Sequence, residues 1–196
     1  MQAELLTLTS SLPNSFTVYV ARHATPDRSR TDIPYHIPPG PPLTDRGLSE
    51  AAALGAFLRE AGVLHFFASP LERAWRTASI AAEVCGAGIE QHLGLAEWRP
   101  EENEAAVRER AAAAFLAACQ MSSRKEGPVA VVSHGFPTLT LIKALGLPSE
   151  TIERCRIYDS RNLVPMSGAW RVECVDGELT LRLAFVPQGL ALPAGY

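Results

Sequence analysis

Cysteine is scarce in this sequence, and its four cysteines are scattered along the 196 residues. No pair shows the Cys-x-x-Cys spacing of a zinc site or a redox dithiol, so we expect neither from them. A cysteine without such a partner behaves as a small apolar residue. We therefore expect all four to lie in or near the core: Cys85, Cys119, Cys155 and Cys174.

Long apolar runs and a strong excess of one charge are also missing. No run approaches the ~20 residues that a membrane-spanning helix needs, and the first residues lack the basic start of a signal peptide. The net charge of -3 gives no reason to expect nucleic acid or an acidic membrane as a partner. These features predict a cytoplasmic protein that binds neither.

The bulk composition is that of an ordinary globular protein, with 47% hydrophobic and 20% charged residues. The length suits one domain over 1–196 with a sizeable core and no internal repeat. We expect residues 1–15 to be a loose lead-in and residues 187–196 a tail. The apolar part of that tail, 189–196, is either disordered or covers a neighbouring molecule, and the oligomeric state stays open.

Apolar runs alternate with helical segments along the chain. We expect parallel strands over 16–21, 64–68, 89–92 and 129–133, and helices over 49–58, 70–84, 104–121 and 137–145. Pro70 should lie in the first turn of its helix. Two alternating runs, 170–175 and 179–186, flank Asp176-Gly177 and indicate a hairpin. The pattern predicts an α/β fold, a three-layer α/β/α sandwich with a mostly parallel central sheet.

Two histidine motifs stand where two of these strands end. Arg22-His23-Ala24 follows the first strand, and Ser133-His134-Gly135 follows the strand over 129–133. Ligands of such sheets bind beyond the carboxyl ends of the strands. A guanidinium that holds an anion beside an imidazole that attacks it would accept a phosphoryl group.

A third signal comes where the second strand gives way to a helix. Arg73 stands in the first turn there, where free N–H groups and the helix dipole already attract anions. Its planar fork matches phosphate oxygens. An arginine alone at such a position is more often an ordinary surface residue, so Arg73 gains weight from the two histidine motifs.

Five segments in this order resemble the histidine phosphatase superfamily, also called phosphoglycerate mutase-like. The resemblance covers roughly 16–186 and does not name a substrate. The segments are Arg22-His23-Ala24, Pro42-Leu43-Thr44-Asp45-Arg46-Gly47-Leu48-Ser49-Glu50-Ala51, Ser69-Pro70-Leu71-Glu72-Arg73-Ala74-x-x-Thr77-Ala78, Leu95-Ala96-Glu97-Trp98 and Ser133-His134-Gly135.

The resemblance implies a role for each of five residues. His23 would be the nucleophile, and Arg22, Arg73 and His134 would surround the phosphate oxygens. Glu97 would protonate the leaving alcohol and later activate water. Two arginines and a histidine supply the charge that phosphoryl transfer needs, so we expect no metal and no cofactor. An attacking histidine must be neutral, and neighbouring arginines lower its pKa.

Further residues are candidates for substrate binding. Thr25 either binds phosphate through its hydroxyl or stabilises a turn, and Trp98 either lines the substrate pocket or packs in the core. Gly135 is expected at the pocket because it follows His134. The Pro-rich segment 26–42 cannot be regular structure, and its part 33–42 is a hypothetical pocket wall.

The chain departs from the family pattern in ways that bear on its reaction. Ala24 stands where glycine is commoner, and Thr25 where glutamate or glutamine is usual. Only 37 residues separate Glu97 from His134, whereas mutases of this family carry a longer, site-covering insertion there. A mutase must exclude water from its intermediate. We therefore expect a phosphatase acting on a small phosphorylated substrate.

Three alternatives stay open at this point. The first is a phosphoglycerate-type mutase, and the second is a protein phosphohistidine phosphatase, because short, open members of the superfamily act on phosphohistidine in partner proteins. The third is a binding module with an inactive pocket, against which the presence of all five expected site residues argues.

Overall fold

The computed structural model describes residues 11–159 and 162–193. Its strands are β1 (Phe16–Arg22), β2 (His65–Ala68), β3 (Gly88–Gln91), β4 (Val129–Ser133), β5 (Ala169–Val175) and β6 (Glu178–Phe185). They form one sheet in the order β3-β2-β4-β1-β5-β6. The first four in that order run parallel, and β5 and β6 add an antiparallel edge. The predicted mostly parallel sheet is confirmed.

Helices cover both faces of this sheet. They are α1 (Asp45–Glu60), α2 (Glu72–Cys85), α3 (Glu104–Lys125), α4 (Gly135–Ala144) and α5 (Ser149–Cys155), with a 3-10 turn at Leu93–Leu95. Alternate residues of β1 face opposite ways, so Val18 and Val20 pack with α3 and α4, and Tyr19 and Ala21 pack with α1 and α2. The result is the expected three-layer α/β/α arrangement.

Two helix starts differ from those expected. Helix α1 begins at Asp45 rather than at residue 49, because the Thr44 side chain caps it by accepting from the Gly47 amide. Pro70 was expected in the first turn of α2, but this is wrong. Leu71 has an extended backbone and ends the loop, so the helix begins only at Glu72.

Other elements are displaced or were not indicated at all. Helix α3 continues to Lys125, one turn beyond the expected end, and α4 begins at Gly135, which places Pro137 in its first turn. Nothing in the sequence reading indicated α5 or the 3-10 turn. The hairpin was expected correctly, since Asp176 and Gly177 both take positive φ, as a two-residue turn requires.

The cysteines lie in or near the core, as expected. Cys119, Cys155 and Cys174 are buried and Cys85 is partly buried, and none of the four forms a disulfide. Residues 11–15 and 187–193 contain no helix or strand, and the rest of the lead-in and tail lies outside the described residues. No helix within the described ranges is long and apolar enough to cross a membrane.

Helices α1 and α2 pack so closely that Gly55 has no room for a side chain. A Cβ there would lie 2.9 Å from Ala81 Cα and 3.0 Å from Val84 Cβ. Gly55→Ala should therefore lower the free energy of unfolding by about 1–3 kcal/mol through overpacking. Helix propensity alone would raise it by about 1 kcal/mol.

Urea denaturation measures the difference in the free energy of unfolding between Gly55→Ala and the wild type. Ala53→Gly, at an exposed position of α1, serves as the control that reports helix propensity without a packing change. A Gly55→Ala protein more stable than the wild type would contradict the close packing.

Candidate active site

The two motif histidines lie side by side because their strands are hydrogen-bonded neighbours. Arg22, the last residue of β1, pairs with Ser133, the last residue of β4. His23 follows the first and His134 the second, and the His23 amide donates to the Ser133 carbonyl at 2.9 Å. Both side chains are buried, with ring centroids 5.1 Å apart. Each motif thus lies at the carboxyl end of its strand, as the sequence predicted, and the pairing of β1 with β4 brings the two together.

His23 is held as a neutral ring with one nitrogen available. Its Nδ1 lies 2.7 Å from the Ala24 carbonyl oxygen, which can only accept, so Nδ1 carries the proton. Nε2 therefore keeps its lone pair, and Arg73 Nε lies 3.4 Å away as a donor to it. Burial, followed by the charges of Arg73 and Arg22, holds the pKa of His23 well below its usual range.

Arg73 is fully buried in the first turn of α2, where the sequence predicted it. Its Nη1 donates to the Tyr35 carbonyl at 2.8 Å, and its guanidinium lies over the Tyr35 ring, 4.0 Å from the centroid. Burial lowers the pKa of Arg73. Tyr35 belongs to the Pro-rich segment, so that segment supplies part of the site. Sequence reasoning did not single out Tyr35.

His134 follows β4 and directly precedes α4. Its Nε2 lies 2.8 Å from the Ser69 hydroxyl, which follows β2. Burial, with the charge of Arg73 next, holds the pKa of His134 well below its usual range. Its Nδ1 lies 3.9 Å from Glu97 Oε2 without a hydrogen bond. Ser69 belongs to one of the five segments that resemble the family, but the sequence indicated no role for it.

Arg22 is held in place by the carboxylate of Asp159, a contact that the sequence did not indicate. Its Nη1 and Nη2 donate to Asp159 at 2.7 and 2.9 Å, and Nη1 also donates to the Val164 carbonyl at 3.2 Å. Only its Nε lacks a hydrogen bond. Arg22 is therefore at the expected place, with most of its donors already in use.

Three buried nitrogens of the expected site residues lack partners: Arg22 Nε, Arg73 Nη2 and His134 Nδ1. Buried polar groups in proteins are almost always hydrogen-bonded, so three in one site need a reason. Arg73 Nη2 and His134 Nδ1 both lie near Glu97 Oε2, at 4.0 and 3.9 Å. An anion with several acceptor oxygens, such as a phosphate group, would satisfy such donors.

Glu97 lies on a loop that Arg110 holds in place. The Arg110 guanidinium donates to the carbonyls of Gly94, Ala96 and Glu97. It also pairs with Glu102, and these hydrogen bonds lower the pKa of Glu102 to about 2. Sequence reasoning missed Arg110, whose position on α3 resembles that of any surface charge.

A cleft of about 600 Å³ adjoins this cluster and meets it at Arg22 and Glu97, whereas the buried side chains of His23, Arg73 and His134 are not among its lining residues. Arg22, Glu97, Trp98 and Gly135 line it, so the expected pocket position of Trp98 and Gly135 is what the structure has. Trp98 Nε1 donates to the Glu102 carbonyl at 2.9 Å. At Gly135 a Cβ would overlap the Asn162 side chain, which explains the glycine. Tyr35 and His36 form another part of the wall.

Thr25 is hydrogen-bonded to α1 rather than within a local turn. Its amide and hydroxyl both donate to Glu50 Oε2, at 2.9 and 2.7 Å, and it is not among the cleft residues. The sequence indicated no role for Thr77. Its hydroxyl accepts from the Ala24 amide and donates to the Arg73 carbonyl, which links the His23 loop to α2.

Metal-ligating side chains are not grouped in this site. In the part of the chain that the structure describes, no three His, Cys, Asp or Glu residues are arranged to hold a metal ion. The concentrated charge is instead that of the two buried guanidiniums. The site can therefore hold an anion directly between cationic and neutral N–H donors.

The sequence model of the histidine phosphatase superfamily (branch 1) matches residues 18–104. A probable phosphoglycerate mutase GpmB of Salmonella arizonae is 30% identical over 150 residues, which cover 59% of this chain and 69% of that protein. Among solved structures, a phosphoglycerate mutase from Bacillus anthracis has a TM-score of 0.68 at 19% identity, covering 89% of this chain and 95% of that one. A mycobacterial glucosyl-3-phosphoglycerate phosphatase has a TM-score of 0.64 at 20% identity, covering 87% and 98%.

The low pKa of His134 should make the protein sensitive to acid. Unfolding returns the imidazole to its ordinary pKa of about 6.5. As the pH falls through that value, the unfolded chain binds a proton that the folded chain does not, and the free energy of unfolding falls. We expect His134→Asn to lose less stability than the wild type between about pH 7.5 and 5.

Urea denaturation at several pH values measures this slope independently of the variant's absolute stability. His36→Asn removes an exposed histidine at the edge of the same cleft and serves as the control. Equal slopes for the wild type and His134→Asn would contradict a neutral, buried His134.

Proposed function

Because the chain belongs to the histidine phosphatase superfamily, branch 1, we propose that it is a metal-independent phosphatase that hydrolyses phosphate monoesters through a phosphohistidine on His23. The observation that carries the proposal is the buried His23 ring, with its proton on Nδ1 and the lone pair of Nε2 next to Arg73. A neutral imidazole beside a guanidinium is arranged to attack an anion that the guanidinium holds.

In the first half of the proposed reaction, the phosphate group of a small substrate accepts hydrogen bonds from Arg22, Arg73 and His134. Nε2 of His23 attacks phosphorus while the bond from phosphorus to the alcohol oxygen breaks. Glu97 gives its proton to the departing oxygen, which avoids the release of an alkoxide. The buried guanidiniums stabilise the charge on the equatorial oxygens.

In the second half, water attacks the phosphohistidine. Glu97, now a carboxylate, takes a proton from this water, and the bond between phosphorus and Nε2 breaks. Phosphate and neutral His23 are the products. The Ala24 carbonyl keeps Nδ1 protonated throughout, so the same nitrogen is returned each time.

Water access favours hydrolysis over transfer to a second hydroxyl. The chain between the 3-10 turn and α3 is short and is held by Arg110 rather than extended over the cleft. Trp98 in this loop is partly exposed. A mutase must keep water from its phosphohistidine while the substrate turns over in the site. Residues 96–103 line one wall of the cleft through Glu97, Trp98 and Glu102 and contain no helix or strand that could form such a cover.

A phosphoglycerate-type mutase is the second candidate. A similar protein is a probable phosphoglycerate mutase, and the cleft wall carries Arg28 and Arg156 in addition to Arg22. Such cations could hold the carboxylate of a phosphoglycerate. The two candidates share the phosphohistidine and differ in what accepts the phosphoryl group from it.

His23→Ala should abolish turnover, because the variant has no nitrogen that can take the phosphoryl group. We expect the wild type to release phosphate from p-nitrophenyl phosphate in the presence of EDTA. His65→Ala, which removes a histidine that pairs with Glu90 away from the cleft, is the matched control and should retain activity. Normal turnover by His23→Ala, or loss of wild-type activity in EDTA, would contradict the proposal.

The same samples distinguish the two candidates. A mutase would interconvert 3-phosphoglycerate and 2-phosphoglycerate and release little phosphate. A phosphatase would release phosphate without accumulating the isomer. Isomerisation that outpaces phosphate release would therefore replace hydrolysis by the second candidate.

Glu97→Gln tests the acid. An amide cannot donate the proton that a poor leaving group needs, so kcat for an alkyl phosphate should fall by about 10²–10⁴-fold. Turnover of p-nitrophenyl phosphate should fall less, since nitrophenolate leaves without a proton. Glu104→Gln, an exposed acid of the same cleft, is the control. Equal losses on both substrates would contradict the role of Glu97.

A further inference from the structure

We propose that Asp159 is a built-in counter-ion of Arg22 that competes with the substrate's phosphate group and sets the anion affinity of the site. The inference rests on the proposed function for where the phosphate binds. Asp159 lies outside the segments that carried the family resemblance. It meets Arg22 because the residues that follow α5 come back to the end of β1.

The contact occupies one of the two-point faces through which a guanidinium can bind a phosphate group. Asp159 Oδ1 and Oδ2 each accept from one terminal nitrogen of Arg22, at 2.7 and 2.9 Å. Such two-point pairing is also how arginine binds two oxygens of a phosphate group. While Asp159 stays in place, an incoming anion can use only Nε and the second N–H of Nη2.

The two partners differ in how firmly they are held. The Arg22 side chain is only 4% exposed, follows β1, and also donates to the Val164 carbonyl. The Asp159 side chain is 44% exposed. A rotation of the Asp159 side chain returns its carboxylate to water, whereas moving Arg22 would bury an unpaired charge elsewhere. Asp159 is therefore the partner that yields.

The Asp159 backbone, in contrast, is fixed beside the site. Its carbonyl accepts from the amide and the side chain of Asn162, at 3.1 and 2.9 Å. Asn162 packs against Gly135, the residue after His134, where a Cβ would overlap it. The carboxylate thus stays within reach of Arg22 after it has been displaced.

This arrangement lowers the affinity for every phosphate that must share Arg22. Displacing the carboxylate costs one charge-assisted pair, and the displaced carboxylate then repels the bound dianion. The cost falls on substrate and inorganic phosphate alike, so the product of hydrolysis leaves more readily. Substrates with a second anionic group near the cleft mouth are disfavoured further.

Asp159→Asn tests the inference, since it keeps the size and removes the charge. We expect the dissociation constant for inorganic phosphate, measured by isothermal titration calorimetry, to fall about tenfold, in line with one charge-assisted hydrogen bond. The inhibition constant of phosphate against p-nitrophenyl phosphate should fall equally. Asp159→Glu keeps the charge and should resemble the wild type.

Asp32→Asn is the matched control. Asp32 also forms a two-point pair with an arginine, accepting from Nε and Nη2 of Arg30 at 2.9 and 2.8 Å on an exposed loop, so its loss should leave phosphate affinity unchanged. Asp159→Ser repeats the removal of charge with a smaller side chain, in case the amide itself bonds to Arg22.

The outcomes separate this inference from the proposed function. Unchanged or weaker phosphate binding in both Asp159→Asn and Asp159→Ser would overturn it, and weaker binding would mean that Asp159 positions Arg22 instead. Calorimetry needs no turnover. Tighter binding by the variants of a protein that hydrolyses nothing would uphold the counter-ion and overturn the phosphatase.

Discussion

The burial of two arginine charges is the constraint on which the rest of the active site depends. A buried guanidinium is costly unless its charge is paired or its donors are hydrogen-bonded. Arg22 is stabilised by Asp159 and a carbonyl, and Arg73 by the carbonyl and ring of Tyr35. Each arginine keeps one buried nitrogen without a partner. The charges are thus held in place without being fully satisfied, which is the condition for binding an anion.

The low pKa of each of the two histidines follows from its burial first and from the same arginine charges second. A ring that is buried beside two guanidiniums cannot easily take a proton, so His23 and His134 are neutral without a dedicated base. Parallel pairing of β1 and β4 then brings both rings together at the carboxyl ends of these two strands. Because these strands are buried on both faces, their register is fixed by the core rather than by the site. Packing and chemistry are therefore specified by one arrangement.

Features of the fold and the site that are set by neighbouring residues in the sequence could be predicted, and features that depend on contacts between distant segments could not. Strand runs and the motifs that follow them are local, so the position of His23 and of His134 at the end of a strand could be predicted from the sequence, whereas their adjacency depends on the pairing of β1 with β4. The contacts of Tyr35 and Asp159 depend on the paths of irregular segments, which hydrophobic periodicity does not encode. The start of α2 depends on the extended backbone conformation of a single residue, Leu71. For Thr25 the sequence left two roles open, and its hydrogen bonds go instead to Glu50 on α1, 25 residues away, a contact that no local pattern encodes.

The buried cluster by itself does not choose between hydrolysis and transfer, because both proposed reactions would pass through the same phosphohistidine. The choice would belong to the residues around the cleft. Arg110 fixes the Glu97 loop through three carbonyls, which would hold Glu97 in place for both proposed proton transfers. A loop held in this way lines the cleft rather than covering it, so under the proposed function water would compete with any second hydroxyl. The residues around the cleft would therefore favour hydrolysis from positions that are not part of the buried cluster.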